Sequence, residues 1–184
     1  LVLGLLLTTA GLCSSTFHLA NPKNAWRSAS RFRTSWLSRE AVFAGALYPV
    51  ALLYGWMLWS GTGGALQSLA GMLLAALAVV VMYSTGMIYA CLKTIPRWNH
   101  GLVPIGYVVL GLYSGTLAAL PVIAAQSGPV PVALALALLA AALAVKGAYF
   151  VIFGAPRAVH TMADALPLGK KEIRLLDTGH THRT

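Results

Sequence analysis

A chain of 184 residues with 58% hydrophobic and only 9% charged side chains is not composed like a soluble domain, in which about a quarter of residues are charged. The net charge of +9 could suggest nucleic acid. However, the basic residues gather in two loops and a tail, not on one folded face, which argues against nucleic-acid binding and for charge that orients a protein in a bilayer.

Five segments approach the roughly 20 apolar residues that span a hydrocarbon core, which predicts an all-α polytopic transmembrane helix bundle over residues 1–155. The first segment covers about residues 1–19 and ends at Asn21-Pro22, where proline bars helix continuation. It opens Leu-Val-Leu-Gly with no charged n-region or cleavage site, so it does not read as a signal peptide and is expected to belong to a longer protein. The second covers about residues 38–59, with Pro49 inside predicting a kink. Gly61-Thr62-Gly63-Gly64 is a tight turn. The third covers about 66–92, the fourth 103–125 and the fifth 132–153, with a turn at Gln126-Ser127-Gly128-Pro129. Residues 156–184 form a polar extramembrane loop or tail.

The connecting segments alternate in charge. Lys23, Arg27, Arg31, Arg33 and Arg39 separate the first two spans; Lys93 and Arg97 follow the third; Arg157, Lys170, Lys171 and Arg174 follow the fifth. The other two connections carry no charge. In a five-span zigzag the basic segments share one face, which the positive-inside rule makes cytoplasmic. Trp36, Trp56, Trp59 and Trp98 fall at span ends, as in an interfacial aromatic belt. Gly111 and Gly115 permit close helix approach in the fourth span, although that pattern is common in apolar helices.

His18 and Glu40 are the candidate functional pair. His18 lies in Phe17-His18-Leu19-Ala20-Asn21-Pro22, where the first apolar run stops, and Glu40 is the sole acidic residue before Asp164. Ionisable residues at membrane depth are costly and point to function. Each also has an ordinary explanation: His18 could bond a carbonyl or lipid headgroup at a helix end, and Glu40 could sit in a first turn capped by Ser38. Their convergence favours chemistry, because adjacent antiparallel spans bring both to one depth on one face. A histidine titrating near neutrality can exchange protons with a quinone oxygen, and a carboxylate can relay them to water.

Other constellations are weaker. Bis-histidine haem needs two facing histidines within spans, whereas His100 lies in a loop and His160, His180 and His182 lie in the tail. Cys13 and Cys91 have no metal spacing. No haem or metal is therefore expected in this subunit. Trp26, Phe32 and Trp36 interleave with the cations of residues 23–39, suiting contact with membrane lipids or docking of an electron-carrying subunit. Lys146 is the single charge well inside a span, with nothing in the sequence to face it, and is expected to snorkel toward an interface.

Ser-Thr-Phe-His-Leu-Ala-Asn-Pro-Lys-Asn-Ala-Trp-Arg-Ser at 15–28, Thr-Ser-Trp-Leu-Ser-Arg-Glu at 34–40 and Met-Ile-Tyr-Ala-Cys-Leu-Lys-Thr-Ile-Pro-Arg-Trp at 87–98 resemble the DmsC family, the membrane anchors of dimethyl sulfoxide reductase-type molybdoenzymes. The resemblance implies an eight-helix anchor in a bacterial inner membrane, of which this chain holds roughly helices two to six. Such an anchor oxidises menaquinol or another quinol in anaerobic electron transport. It passes electrons to a four-cluster iron-sulfur subunit and on to a molybdopterin catalytic subunit. The family's quinol-site histidine and glutamate fall on His18 and Glu40, with Arg39, Arg27 and Trp36 as further contributors. Well-known members carry that site toward the periplasm, while the charge pattern here argues for the cytoplasm. The competing readings are a transporter or proton channel, expected to show polar residues and broken helices at the midplane, and a haem-b cytochrome subunit.

Overall fold

The computed structural model describes residues 1–17, 29–126 and 128–154. Five helices follow in order: α1 (Val2–Thr16), α2 (Trp36–Ser60), α3 (Ala65–Ala90), α4 (Leu102–Ala125) and α5 (Val132–Phe153). No strand occurs among the described residues. With no water to satisfy exposed amides in hydrocarbon, helices answer each N–H and C=O internally. Helices α2 to α5 are each long and apolar enough to cross a membrane. The protein is a multi-pass helical membrane bundle. The end of the first expected span, residues 18 and 19, and the tail from 155 lie outside the described residues.

The start of α2 differs from the sequence expectation in a way that bears on the site. The cap is Ser35, not Ser38: Ser35 is extended (φ −122°, ψ 126°) and its side chain accepts from the Ser38 amide. Ser38 sits buried inside the helix, where its hydroxyl oxygen accepts from the Arg31 amide at 3.2 Å. Trp36 and Leu37 thus join the helix, and Glu40 moves beyond the first turn, which holds no acidic residue. The dipole explanation for Glu40 is weakened accordingly, because that effect fades within one turn.

Helix ends follow local chemistry. Gly61 closes α2 in the left-handed region at φ 69°, and the Thr62 amide returns to the Met57 carbonyl, a glycine-dependent stop. The Asn99 side chain donates to the Ala90 carbonyl at 2.6 Å, capping α3. Pro104 is tolerated in α4 because the first turn leaves its amides unpaired. Pro49 and Pro121 lie inside α2 and α4.

Each long helix packs chiefly on its sequence neighbours, α2 on α3, α3 on α4 and α4 on α5. Helix α1 reaches α2 through a 2.8 Å hydrogen bond between the Thr9 and Tyr48 hydroxyls. Most buried residues are small, Ala44, Ala51, Ala70, Ser84, Gly86 and Ala90 among them, with Leu47 and Met57 of α2 the large exceptions. Lipid offers helices no hydrophobic reason to associate, so close backbone approach and dispersion must hold them. The tightest backbone approach between helices is Gly86 of α3 against Pro104 of α4, where an added Cβ would stand 2.5 Å from the Pro104 Cα. Of the two glycines the sequence pattern pointed to, Gly111 does make a close approach, against the Met82 side chain of α3, where an added Cβ would overlap the sulfur, whereas a Cβ on Gly115 would meet nothing. Large apolar side chains such as Leu52, Trp59 and Val151 face outward, as lipid-facing residues do.

Candidate functional site

Glu40 is half-buried in the second turn of α2. The Thr85 hydroxyl, projecting from α3, donates to its Oε1 at 2.5 Å. Thr85 Oγ1 also lies 3.0 Å from the Val81 carbonyl, the usual resting partner of a helical threonine. A hydroxyl has one proton and can satisfy one of these acceptors at a time. When it donates to Glu40, its lone pairs remain open to a donor on the other side.

On that side is a groove of about 730 Å³ between α3, α4 and α5, bordered by Thr85, Tyr89, Tyr107, Gly111, Lys146 and Tyr149. The Tyr89 and Tyr107 rings stack nearly parallel, with centroids 5.5 Å apart and 16° between planes. Trp98 meets Tyr89 edge-on at 5.3 Å. The Tyr149 hydroxyl donates to the Arg97 carbonyl at 3.0 Å, tying α5 to the α3–α4 loop. A flat apolar slot with a few polar groups on its border is a common form of small-molecule site. Among the described residues, no three His, Cys, Asp or Glu side chains converge on one point.

The other predicted residues divide. Arg39 turns away from Glu40: its Nε and Nη2 donate to the Phe32 and Arg33 carbonyls, each at 3.0 Å, and its guanidinium lies 4.3 Å from the Trp36 ring centroid. Trp36 in turn meets Tyr83 of α3 edge-on at 6.0 Å. Arg39 and Trp36 therefore pin the segment preceding α2 to the bundle, while Glu40 alone of the three bonds to a groove residue. His18 and Arg27 lie outside the described residues. His100 accepts from the Leu102 amide and packs edge-on against Phe153, a helix-start role.

Residues 1–166 match the family model described as DMSO reductase anchor subunit (DmsC). The chain belongs to the DmsC family. Two relatives are similar to this DmsC-family chain. A sulfite dehydrogenase subunit of Allochromatium vinosum is 36% identical over 129 residues, covering 64% of this chain and 40% of that protein. Anaerobic dimethyl sulfoxide reductase chain YnfH of Escherichia coli K12 is 28% identical over 123 residues, covering 65% and 42%. The chain thus spans about two-fifths of the length of the curated relatives it matches. No solved structure matches it.

Sequence reasoning missed Thr85, Tyr89 and Tyr107. Thr85 and Tyr89 are four residues apart on one helix face, so a polar stripe along the third span was readable. Its partner on α2 was not, because that pairing depends on the α2–α3 register.

Proposed function

We propose that this chain is the part of a membrane anchor subunit that binds menaquinol or another quinol and oxidises it. The two electrons pass to an iron-sulfur subunit and on to a molybdopterin-type catalytic subunit in a bacterial inner membrane. The observation that carries the reading is the Glu40–Thr85 hydrogen bond beside an aromatic groove at the basic end of the bundle. A quinol hydroxyl in the groove donates to Thr85 Oγ1 while Thr85 passes its own proton to Glu40, so the carboxylate acts as general base through one hydroxyl. Each quinol then gives up two protons and two electrons and leaves as quinone. His18, on the preceding segment, is the route by which the proton leaves Glu40 for water.

The two relatives are named for opposite half-reactions, a sulfite dehydrogenase and a dimethyl sulfoxide reductase. The same relay run backward protonates a quinone, so the site chemistry suits both.

The test compares quinol-driven turnover with turnover driven by an artificial donor that feeds the soluble subunits directly, in membranes with confirmed assembly. Glu40→Gln and His18→Ala are each expected to lower the first and spare the second, with the glutamate change the larger, because water can stand in for an exit group but not for the base. An unchanged ratio in both variants would sink the reading. Equal loss of both rates with loss of assembled complex would return both residues to structural roles.

A further inference from the structure

The groove contains a cation that the relay through Thr85 does not use. We propose, resting on the quinol reading above, that Lys146 binds the redox headgroup at the ring oxygen remote from Glu40. Lys146 is the sole Lys or Arg in the interior of a described helix, since Arg39 stands near the start of α2. It precedes Phe153, the last residue of α5, by seven residues, roughly 10 Å of helix. A charge at that depth is penalised unless something answers it. Snorkelling would draw the ammonium out toward the interface. Lys146 is exposed and its ammonium stands near Tyr149 and Phe150, one turn toward the end of α5, so it does reach that way; it also borders the same groove as Thr85, Tyr89 and Tyr107. Its Nζ lies 6.0 Å from both the Tyr149 and Phe150 ring centroids, at the outer limit of a cation–π contact. The Tyr149 ring beside it is held by the bond to Arg97.

The groove is therefore asymmetric in the sense a hydroquinone needs. On α3 it has a hydroxyl backed by a carboxylate, which takes a proton. On α5 it has an ammonium, which donates hydrogen bonds and has no lone pair to accept one. The stacked tyrosines and Gly106 and Leu110 of α4 line the same groove. A flat ring with an oxygen at each end uses both sides at once. As the first proton leaves through Thr85, Lys146 keeps its own proton and the hydrogen bond by which it holds the remote oxygen throughout. The electrons then pass to the iron-sulfur partner and the second proton to water. A lipid phosphate would satisfy Lys146 alone and leave Thr85 and Glu40 without a role.

The experiment uses the full-length subunit in its assembled complex, reconstituted in vesicles, with a short-chain naphthoquinol as donor. Lys146→Gln is expected to raise KM for the naphthoquinol about tenfold, as expected for loss of one charge-assisted hydrogen bond, with a smaller change in kcat. Lys146→Arg should restore most of it, and artificial-donor turnover should hold throughout. An unchanged KM in Lys146→Gln, with Glu40→Gln still impaired, would overturn the assignment and leave the quinol reading standing. A KM effect that vanishes when phosphatidylglycerol is replaced by phosphatidylcholine would assign the lysine to a lipid headgroup and overturn it too. Loss of assembly in both lysine variants, with both activities falling together, would assign Lys146 to packing against another part of the protein. Absence of naphthoquinol turnover in the unmutated complex would remove this proposal and the quinol reading together.

Discussion

Thr85→Val removes one hydroxyl and almost nothing else. Valine is close to isosteric, Thr85 lies well inside α3, and the Val81 carbonyl keeps its helical partner when the side-chain contact at 3.0 Å is lost. What goes is the donor to Glu40. Hydrogen bonds to charged groups contribute about 1.5–3 kcal/mol, and each 1.4 kcal/mol or so at the transition state is tenfold in rate. Full expression would slow quinol oxidation by about 10- to 100-fold. Glu40 is only half-buried, so water replaces part of the lost bond and the lower end applies, about tenfold. Thr85→Ser keeps the hydroxyl and should retain most of the rate. The assay is the ratio of quinol-driven to artificial-donor-driven turnover in membranes with equal amounts of assembled complex. A full ratio in Thr85→Val would show that protons leave the quinol without passing this hydroxyl, and the relay would be wrong.

Two further expectations concern architecture. Gly86→Ala places a Cβ 2.5 Å from the Pro104 Cα, well inside the 3.5–4.0 Å of a carbon contact; it should cost about 1–3 kcal/mol in a detergent unfolding titration, whereas Gly115→Ala, with nothing near it, should be neutral. Reporters fused in Gly61–Gly64 and in residues 126–131 should lie on the membrane face opposite to reporters in residues 23–34 and in the tail, and any shared face would refute the alternation of spans.

The helices, four of them long enough to span a membrane, were legible because apolar runs and proline or glycine punctuation depend on neighbours in sequence. The α2 start was missed by two residues because either serine can cap, and the choice follows from where Arg31 and Phe32 fold back: the Arg31 amide takes the Ser38 hydroxyl, and Arg39 gathers the Phe32 and Arg33 carbonyls. Glu40 stood out as the lone acid of the bundle, but its partner did not, since Thr85 is 45 residues away in sequence. Lys146 was visible as an oddity, and only packing of α5 on α4 shows that it borders the groove. The Gly111–Gly115 pattern was right for one glycine and not the other, Gly111 packing closely on Met82 and Gly115 on nothing: a spacing permits a contact, while the helix crossing determines which glycine makes it.

Glu40 lies near the start of α2, at the end of the bundle that also carries Arg31, Arg33, Lys93 and Arg97. A proton released there leaves on the basic face. If the iron-sulfur subunit docks against the same cations, which is the surface that opposite charge favours, electrons and protons depart on the same side. Quinol oxidation by such an anchor then moves no net charge across the bilayer, whichever face that is. Placing the soluble subunits on the neutral face would separate the two and make turnover electrogenic. The short distance from Glu40 to the basic surface favours the first arrangement, because electron transfer over the full thickness of the bundle would require redox centres along the way, whereas a quinol held beside Glu40 and Thr85 as proposed would stand at the face where a partner's cluster could approach it.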